Sequence, residues 1–450
     1  MIGRYMATTS IMHEVPRFKS HDARVIFLAK KSVKGQFYSE LAKSIQNDGH
    51  KGLKSPEAIV EFCWLMFFLS DWERLSVAIR DKAPICKLPS HLADLYFLSA
   101  YRLNRKTFIE GSDFVNFFAV IQDFIIFIRK YWPNDPDRAN LFSAILQNSI
   151  GEFQEAREKI VRFSEKLELI PPLAAAKAVL PNRPSPSRHH WPLEIKPSSR
   201  KRVTIVSVNF EYYDRFSRDF IAIHNVTNPD RGIHFHCVGF DPRERENIPF
   251  NDSIGFTIDK INLSQLCPRD KQGYYACARL LHAIEYLALY DDMLISDIDG
   301  AVEHSISDIW DEIPHADVII KSRIMKRGVA VINMPWSVIP AGANILRNSP
   351  GGVIFAQYLR DYISHILNDA RFGKRPLWFS DQCALFYAYL DLKDRINIMN
   401  YDRHLFGQGR DWSPLSSLTS KKQYIEDVLQ RHADSAKCSR EKISSGTIFK

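Results

Sequence analysis

The sequence predicts an α/β domain in the second half of the chain, preceded by an all-helical domain. Three observations carry this. Apolar residues recur every three or four positions from Ala23 to about Leu169, the spacing of helix faces. Over 171–202 the composition shifts to seven prolines, several serines and a basic trail of Arg183, Arg188, Arg200, Lys201 and Arg202, a stiff polar tether unsuited to burial. From Val203 onward, β-branched runs alternate with helical stretches, the order of a sheet covered by crossover helices.

The 450 residues suffice for two or three cored domains, and 45% apolar with 25% charged residues is a globular composition. A net charge of +8 directs attention to nucleotides, phosphates or an anionic membrane surface as partners; no nucleic-acid partner is expected. The seven cysteines are odd in number and include no Cys-x-x-Cys pair. That argues against a disulfide framework or a structural zinc site and fits a reducing cytoplasm. The opening MIGRYMATTSIMHEVPRFKS lacks the apolar core of a signal peptide. The longest apolar run, Phe114 to Ile128, is interrupted by Asn116, Gln122 and Asp123 and is shorter than the ~20 residues that span a bilayer. A cytoplasmic protein is expected, at most peripheral at the inner membrane face.

In order along the chain, 1–22 carry no periodicity and are expected to be disordered. Helical spacing then runs over Glu57 to Leu69, Trp72 to Ile79, His91 to Leu103, Asp113 to Tyr131 and Asp137 to Lys166. The stretches Leu65 to Leu75 and Leu146 to Ala156 each place a small or polar break before an aromatic and then resume a helix. They resemble the tetratricopeptide type of helix-turn-helix repeat, of period about 34 residues; a partner-binding array and a plain helical bundle both fit. The expected domains are 23–170 helical, 171–202 linker, 203–420 α/β, and 421–450 a charged helix and tail.

Val203 to Val208 reads as a central strand, with Asn209, Phe210, Glu211, Tyr212 and Tyr213 as a loop after it. A helix from Phe216 to His224, a strand from Ile233 to Phe240 and a long helix from Gly273 to Leu289 follow. Next comes Met293-Leu294-Ile295-Ser296-Asp297-Ile298-Asp299-Gly300, a buried-strand run delivering two carboxylates to a turn. Carboxylates this close repel, and a divalent cation with a preference for hard oxygen ligands, Mg²⁺ or Mn²⁺, removes the conflict. Such an ion in turn draws phosphate. Further on, Ser305 or Ser307 can cap a helix, Val318 to Ile320 reads as a strand, and helices are expected from Gly352 to Leu367 and after Asp381.

Taken together, 203–412 resemble a nucleotide-sugar glycosyltransferase of the GT-A type, through the opening strand, the arginine-bearing Tyr275 to Leu281, "YDDMLISDIDGAV", "ANILRN" and "SDQCALF". His404-Leu405-Phe406-Gly407-Gln408-Gly409-Arg410-Asp411-Trp412 is similar to the H-x-x-G-x-x-K-P-W segment of glycosyltransferase family 8, with Arg410 for the lysine and Asp411 for the proline. The resemblance implies a GT-A, Rossmann-like mixed sheet. It also implies Mn²⁺ (or Mg²⁺) on Asp297, Asp299 and His404, bridging the diphosphate of a nucleotide-sugar donor, with Gly407 and Arg410 beside that diphosphate. The implied reaction moves a hexose from a nucleotide-diphosphate sugar, a UDP-sugar by expectation, to a glycan, lipid-linked or protein acceptor. A protein partner through the helical domain is a further expectation.

Asn209 and Tyr212, after the opening strand, are candidates for the nucleoside, although an aromatic there also packs. Arg279 shares a helix flank with His282 and Tyr286, away from the stripe of Cys277, Leu280, Ile284 and Leu287. It is read as facing outward, toward donor phosphate or as a surface charge. Asp381 opens a helix and is a candidate base or acceptor-orienting group, or an N-cap; Asn344 is placed to face the donor sugar. Two other readings stay open. "MLISDIDGAV" also resembles the D-x-D-G-T motif of haloacid-dehalogenase-type phosphatases, with Ala301 in place of threonine. The third is a non-catalytic helical-repeat interaction protein.

Overall fold

The computed structural model describes chiefly residues 20–33, 45–164, 193–244, 251–261, 268–322, 334–368, 379–401 and 423–434, apart from 46, 70, 112, 113, 301, 303, 304, 337 and 432. It divides into two compact units, one of Met1–Ala178, Arg323–Pro335 and Ser413–Ser417, the other of Val179–Ser322, Trp336–Trp412 and Leu418–Lys450.

The first unit holds α1 (His21–Val33), α2 (Pro56–Leu69), α3 (Trp72–Lys82), α4 (His91–Gly111), α5 (Phe114–Tyr131), α6 (Pro136–Ser149) and α7 (Phe153–Ser164). Its polar breaks have identifiable work. The Asp71 carboxylate accepts from the Arg74 backbone N–H at 3.2 Å and starts α3. Gly151, at φ 95°, turns the chain between α6 and α7, at the break expected within Leu146 to Ala156. A buried Arg138–Asp94 ion pair joins α6 to α4, beside the Phe97–Phe142 ring stack at 4.4 Å. Among the described residues, no helix is long and apolar enough to cross a membrane.

The second unit is a mixed α/β structure on one eight-stranded sheet. Its strands are β1 (Leu193–Lys196), β2 (Arg202–Val208), β3 (Gly232–Val238), β4 (Ile254–Asp259), β5 (Asp292–Ser296), β6 (Val318–Ile320), β7 (Ala343–Arg347) and β8 (Ile398–Asn400). The order across the sheet is β1-β4-β3-β2-β5-β7-β6-β8. β4, β3, β2 and β5 are parallel, and β7 is antiparallel to both β5 and β6. Its helices are α8 (Phe210–Thr227), α9 (Pro268–Leu281), α10 (Ala283–Leu287), α11 (Ile306–Glu312), α12 (Pro350–Asn368) and α13 (Ser380–Leu392).

Period-two alternation sorts the strands onto two faces. Val206, Val208, Ile233, Phe235, Cys237, Ile254, Phe256 and Ile258 form one core with Tyr213, Phe216 and Phe220 of α8. Tyr424, Ile425 and Val428, from the helix over 423–431, complete it. On the same face, toward the β6 edge of the sheet, a second core packs Leu294, Ile319, Ala343 and Ile345 against Ile306, Ile309 and Trp310 of α11.

Three expectations are corrected here. Residues 210–213 are not a loop: the Asn209 side chain accepts from the Tyr212 N–H at 3.0 Å and starts α8 directly after β2. The helix expected over Gly273 to Leu289 breaks at His282 into α9 and α10. The strands β1, β4, β7 and β8 have no counterpart in the sequence reading; β1 lies inside the span read as a linker.

Candidate active site

β2 is flanked by β3 on one side and β5 on the other, so successive connections depart to opposite sides of it. A crevice forms outside the carboxyl ends of strands at such a switch point. Asp297 directly follows β5, one position beyond the Ser296↔Val206 pairing with β2.

The turn itself is closed by the Gly300 N–H donating to the Asp297 carbonyl at 3.1 Å. Ile298 between the two carboxylates is driven into the core beside β2 and β3, 2% exposed. That anchoring separates the pair: Asp297 keeps half of its side chain exposed, while Asp299 is buried.

Arg279 comes to Asp297 from α9. Its Nη2 stands 2.5 Å from Asp297 Oδ1, and its Nη1 donates to the Ser296 carbonyl at 2.6 Å. A longer contact of 3.4 Å runs from Nη2 to the Ala341 carbonyl. The guanidinium is buried at 3% exposure, which corrects the outward direction expected from an unbroken helix. His282 and Tyr286, read as sharing that exposed flank, are buried as well. α9 is covered on both flanks over 277–281, so the division into an outward flank and a buried stripe does not hold there.

Gly342 completes the cradle. A Cβ built there would lie 2.7 Å from Asp297 Oδ2, so the carboxylate occupies space that any side chain at 342 would take. Two residues on, Asn344 is fully buried in β7, its Nδ2 donating to the Pro340 carbonyl at 3.0 Å and its Oδ1 without a hydrogen-bond partner.

Asp381 enters from the first turn of α13. The N-cap of that helix is Phe379 at φ 71°, a conformation a bulky residue holds only where its surroundings impose it. Asp381 is therefore not the cap. It is buried, and that burial pushes its carboxyl up to about 6; the Arg279 charge pulls it back down and Asp297 adds to the rise. The electrostatic coupling puts Asp297, Arg279 and Asp381 in one neighbourhood.

The nucleoside candidates look different. Asn209 spends its side-chain oxygen on the cap of α8, and Tyr212 packs half-buried against Phe216, 5.4 Å between rings. His404, Gly407 and Arg410 lie outside the described residues. The sequence reading missed Gly342 and the Ala341 and Ser296 carbonyls as site elements; the run Pro340-Ala341-Gly342-Ala343, small at each position after the proline, was the available signal.

For a divalent ion, the residues present fit. Asp297 offers an accessible carboxylate with Oδ2 held over a glycine, and Asp299 a second one two residues on.

No family model matches the sequence, and no curated protein matches it. Among solved structures, the apo form of the glycosyltransferase GlyE of Streptococcus pneumoniae TIGR4 is similar with a TM-score of 0.32 at 13% identity, over 53% of this chain and 64% of that one. The galactosyltransferase LgtC, solved in complex with donor and acceptor sugar analogs, is similar with a TM-score of 0.30 at 15% identity, over 51% of this chain and 95% of that one. These structural neighbours are glycosyltransferases; the chain spans under two thirds of the length of GlyE.

Proposed function

We propose that the chain is a metal-dependent glycosyltransferase, moving a hexose from a nucleotide-diphosphate sugar, a UDP-sugar by preference, to a glycan, lipid-linked or protein acceptor. The observation that carries the reading is the meeting of Asp297, Arg279, Gly342 and Asp381 at the carboxyl end of β5. The motif resemblance over 203–412 supplies the reaction class.

In this reading Asp297 and Asp299, with His404 as third ligand, hold Mn²⁺ or Mg²⁺. When bound, the ion neutralises the diphosphate and stabilises it as a leaving group. Arg279 holds the Asp297 carboxylate and the ends of two strands in fixed relation, and its charge offsets part of the negative charge that Asp297, Asp299 and Asp381 bring together. Asp381 carries its proton to higher pH than an exposed carboxyl does. A group with that property can accept the proton of an acceptor hydroxyl, or orient that hydroxyl, near neutrality. Asn344, with an unpaired buried oxygen, is assigned to the donor sugar.

The test is turnover. Purified full-length protein incubated with a panel of nucleotide sugars and Mn²⁺ is expected to release nucleoside diphosphate, and EDTA is expected to abolish the release. Phosphate release from a simple aryl phosphate, with no nucleotide-sugar turnover, would replace this reading with the phosphatase one.

A further inference from the structure

The face of β3 and β4 opposite the α8 core is polar. His234 and His236 of β3 and Thr257 and Asp259 of β4 are fully buried there, beneath Tyr274 of α9 and Tyr286 of α10. Two strands that present histidine, threonine and aspartate to an interior need a reason, because buried polar groups cost free energy unless each is satisfied.

Most of them are. His234 bonds Tyr290 Oη at 2.7 Å and Thr257 Oγ1 at 2.8 Å. His236 bonds Tyr286 Oη through Nδ1 at 2.5 Å and Asp259 Oδ2 through Nε2 at 3.1 Å. The Tyr274 hydroxyl donates to Asp259 Oδ2 at 2.6 Å, and the Ile261 N–H to Oδ1 at 3.1 Å.

Two features stay unexplained by these bonds. Asp259 is a fully buried carboxylate whose ion-pair partner among the described residues is an imidazole. His282, 7% exposed, stacks on His236 at 5.2 Å, and neither of its ring nitrogens has a hydrogen-bond partner. Glu285 Oε2 stands 3.8 Å from its Nδ1, beyond hydrogen-bond reach. A buried polar atom left in this state keeps its desolvation penalty with nothing to offset it. His282 also sits at the break between α9 and α10, where its side chain makes no cap bond.

One ligand atom from each of His236, Asp259 and His282 lies within 4.8 Å of the others. We propose that these three residues form a buried divalent-metal site, with Zn²⁺ the preferred ion, tying β3 and β4 to the α9–α10 junction. The 3.1 Å between His236 Nε2 and Asp259 Oδ2 is close to the roughly 3.3 Å that separates two ligands of a tetrahedral ion with ~2.0 Å bonds. In the proposed site the His282 ring leaves its stack on His236 and turns a nitrogen toward that pair. Two neutral imidazoles and one carboxylate are a zinc-type donor set, with the fourth position left to water. The ion compensates Asp259 and gives His282 its partner. With the metal on Nε2, the His236 Nδ1–H donates to Tyr286 Oη, the outer hydrogen bond that commonly orients a ligating histidine. The cysteine spacing that argued against structural zinc does not bear on a set without cysteine.

The test uses the full chain carrying Asp297→Asn, which weakens the candidate active site as a competing metal site. After EDTA treatment and dialysis it is titrated with ZnCl₂ by calorimetry, with the unfolding midpoint followed in parallel. Uptake of one Zn²⁺ per chain and a raised midpoint are expected. Adding His282→Gln is expected to remove both, and adding Tyr286→Phe to weaken binding about tenfold. No uptake by the folded parent, or uptake undiminished by His282→Gln, overturns the proposal. If His282→Gln fails to fold, Tyr286→Phe decides: an affinity equal to the parent's overturns it, and a tenfold loss supports it.

Discussion

Gly342 decides where Asp297 can stand. With hydrogen at that position the carboxylate lies against the backbone; a methyl would come to 2.7 Å of Oδ2. The clash falls on the far end of a rotatable side chain, so Gly342→Ala is expected to fold with little change in stability while turning Asp297 off Arg279. Mn²⁺ affinity, measured by titration, should fall tenfold or more; an unchanged affinity would remove Gly342 from the site. The sequence could mark this residue as small but not as touching Asp297, because nothing local links positions 45 residues apart. Arg279 was legible as a charge on a helix and misread in direction. Its burial follows from the Asp297 carboxylate and the Ser296 and Ala341 carbonyls that close over it, contacts that helical periodicity does not contain.

At the level of elements, β5 is held at its other end by a second buried charge pair. Asp292 pairs with Arg231, whose side chain is fully buried and which also donates to the Val203 carbonyl at 2.9 Å. Burial lowers the Arg231 pKa, and Asp292 opposes that. Removing the acid leaves a buried cation uncompensated, so Asp292→Ala is expected to cost about 3–5 kcal/mol in urea unfolding. A loss under about 1 kcal/mol would show that Arg231 finds water instead. The strands of this sheet were unequally legible. β2 is rich in β-branched residues, β3 alternates apolar residues with histidine, and β5 sets Met293, Leu294 and Ile295 before the carboxylates, patterns legible in the local sequence. β4 contains Gly255 and ends in Asp259, β7 opens in a run of small residues, and β1 and β8 span four and three residues. These four are strands because a neighbour pairs with them, and pairing is a tertiary property.

For the whole molecule, the candidate site is assembled from four segments, ending at Arg279, Asp297, Gly342 and Asp381. Asp297 and Asp381 could be placed in the sequence at the end of an element, whereas Arg279 fell inside a helix read as unbroken and Gly342 precedes a strand the sequence did not show. The convergence of the four could not be read, since it depends on sheet order, and above all on β7 inserting antiparallel between β5 and β6. The Asp-Ile-Asp turn was readable on its own because two signals coincide there, a strand period and an electrostatic conflict. The buried His236, Asp259 and His282 cluster gave no such signal, its members lying on three elements with no motif spacing. The central claim is that the carboxylate turn at β5 holds a divalent ion and, through it, a nucleotide diphosphate. It is tested most directly by calorimetric titration of UDP into the wild type and into Asp297→Asn, each with Mn²⁺ and with EDTA. Mn²⁺-dependent binding by the wild type, weakened at least tenfold in a folded Asp297→Asn, is the predicted result; equal affinity in the two proteins, or binding indifferent to EDTA, would contradict it.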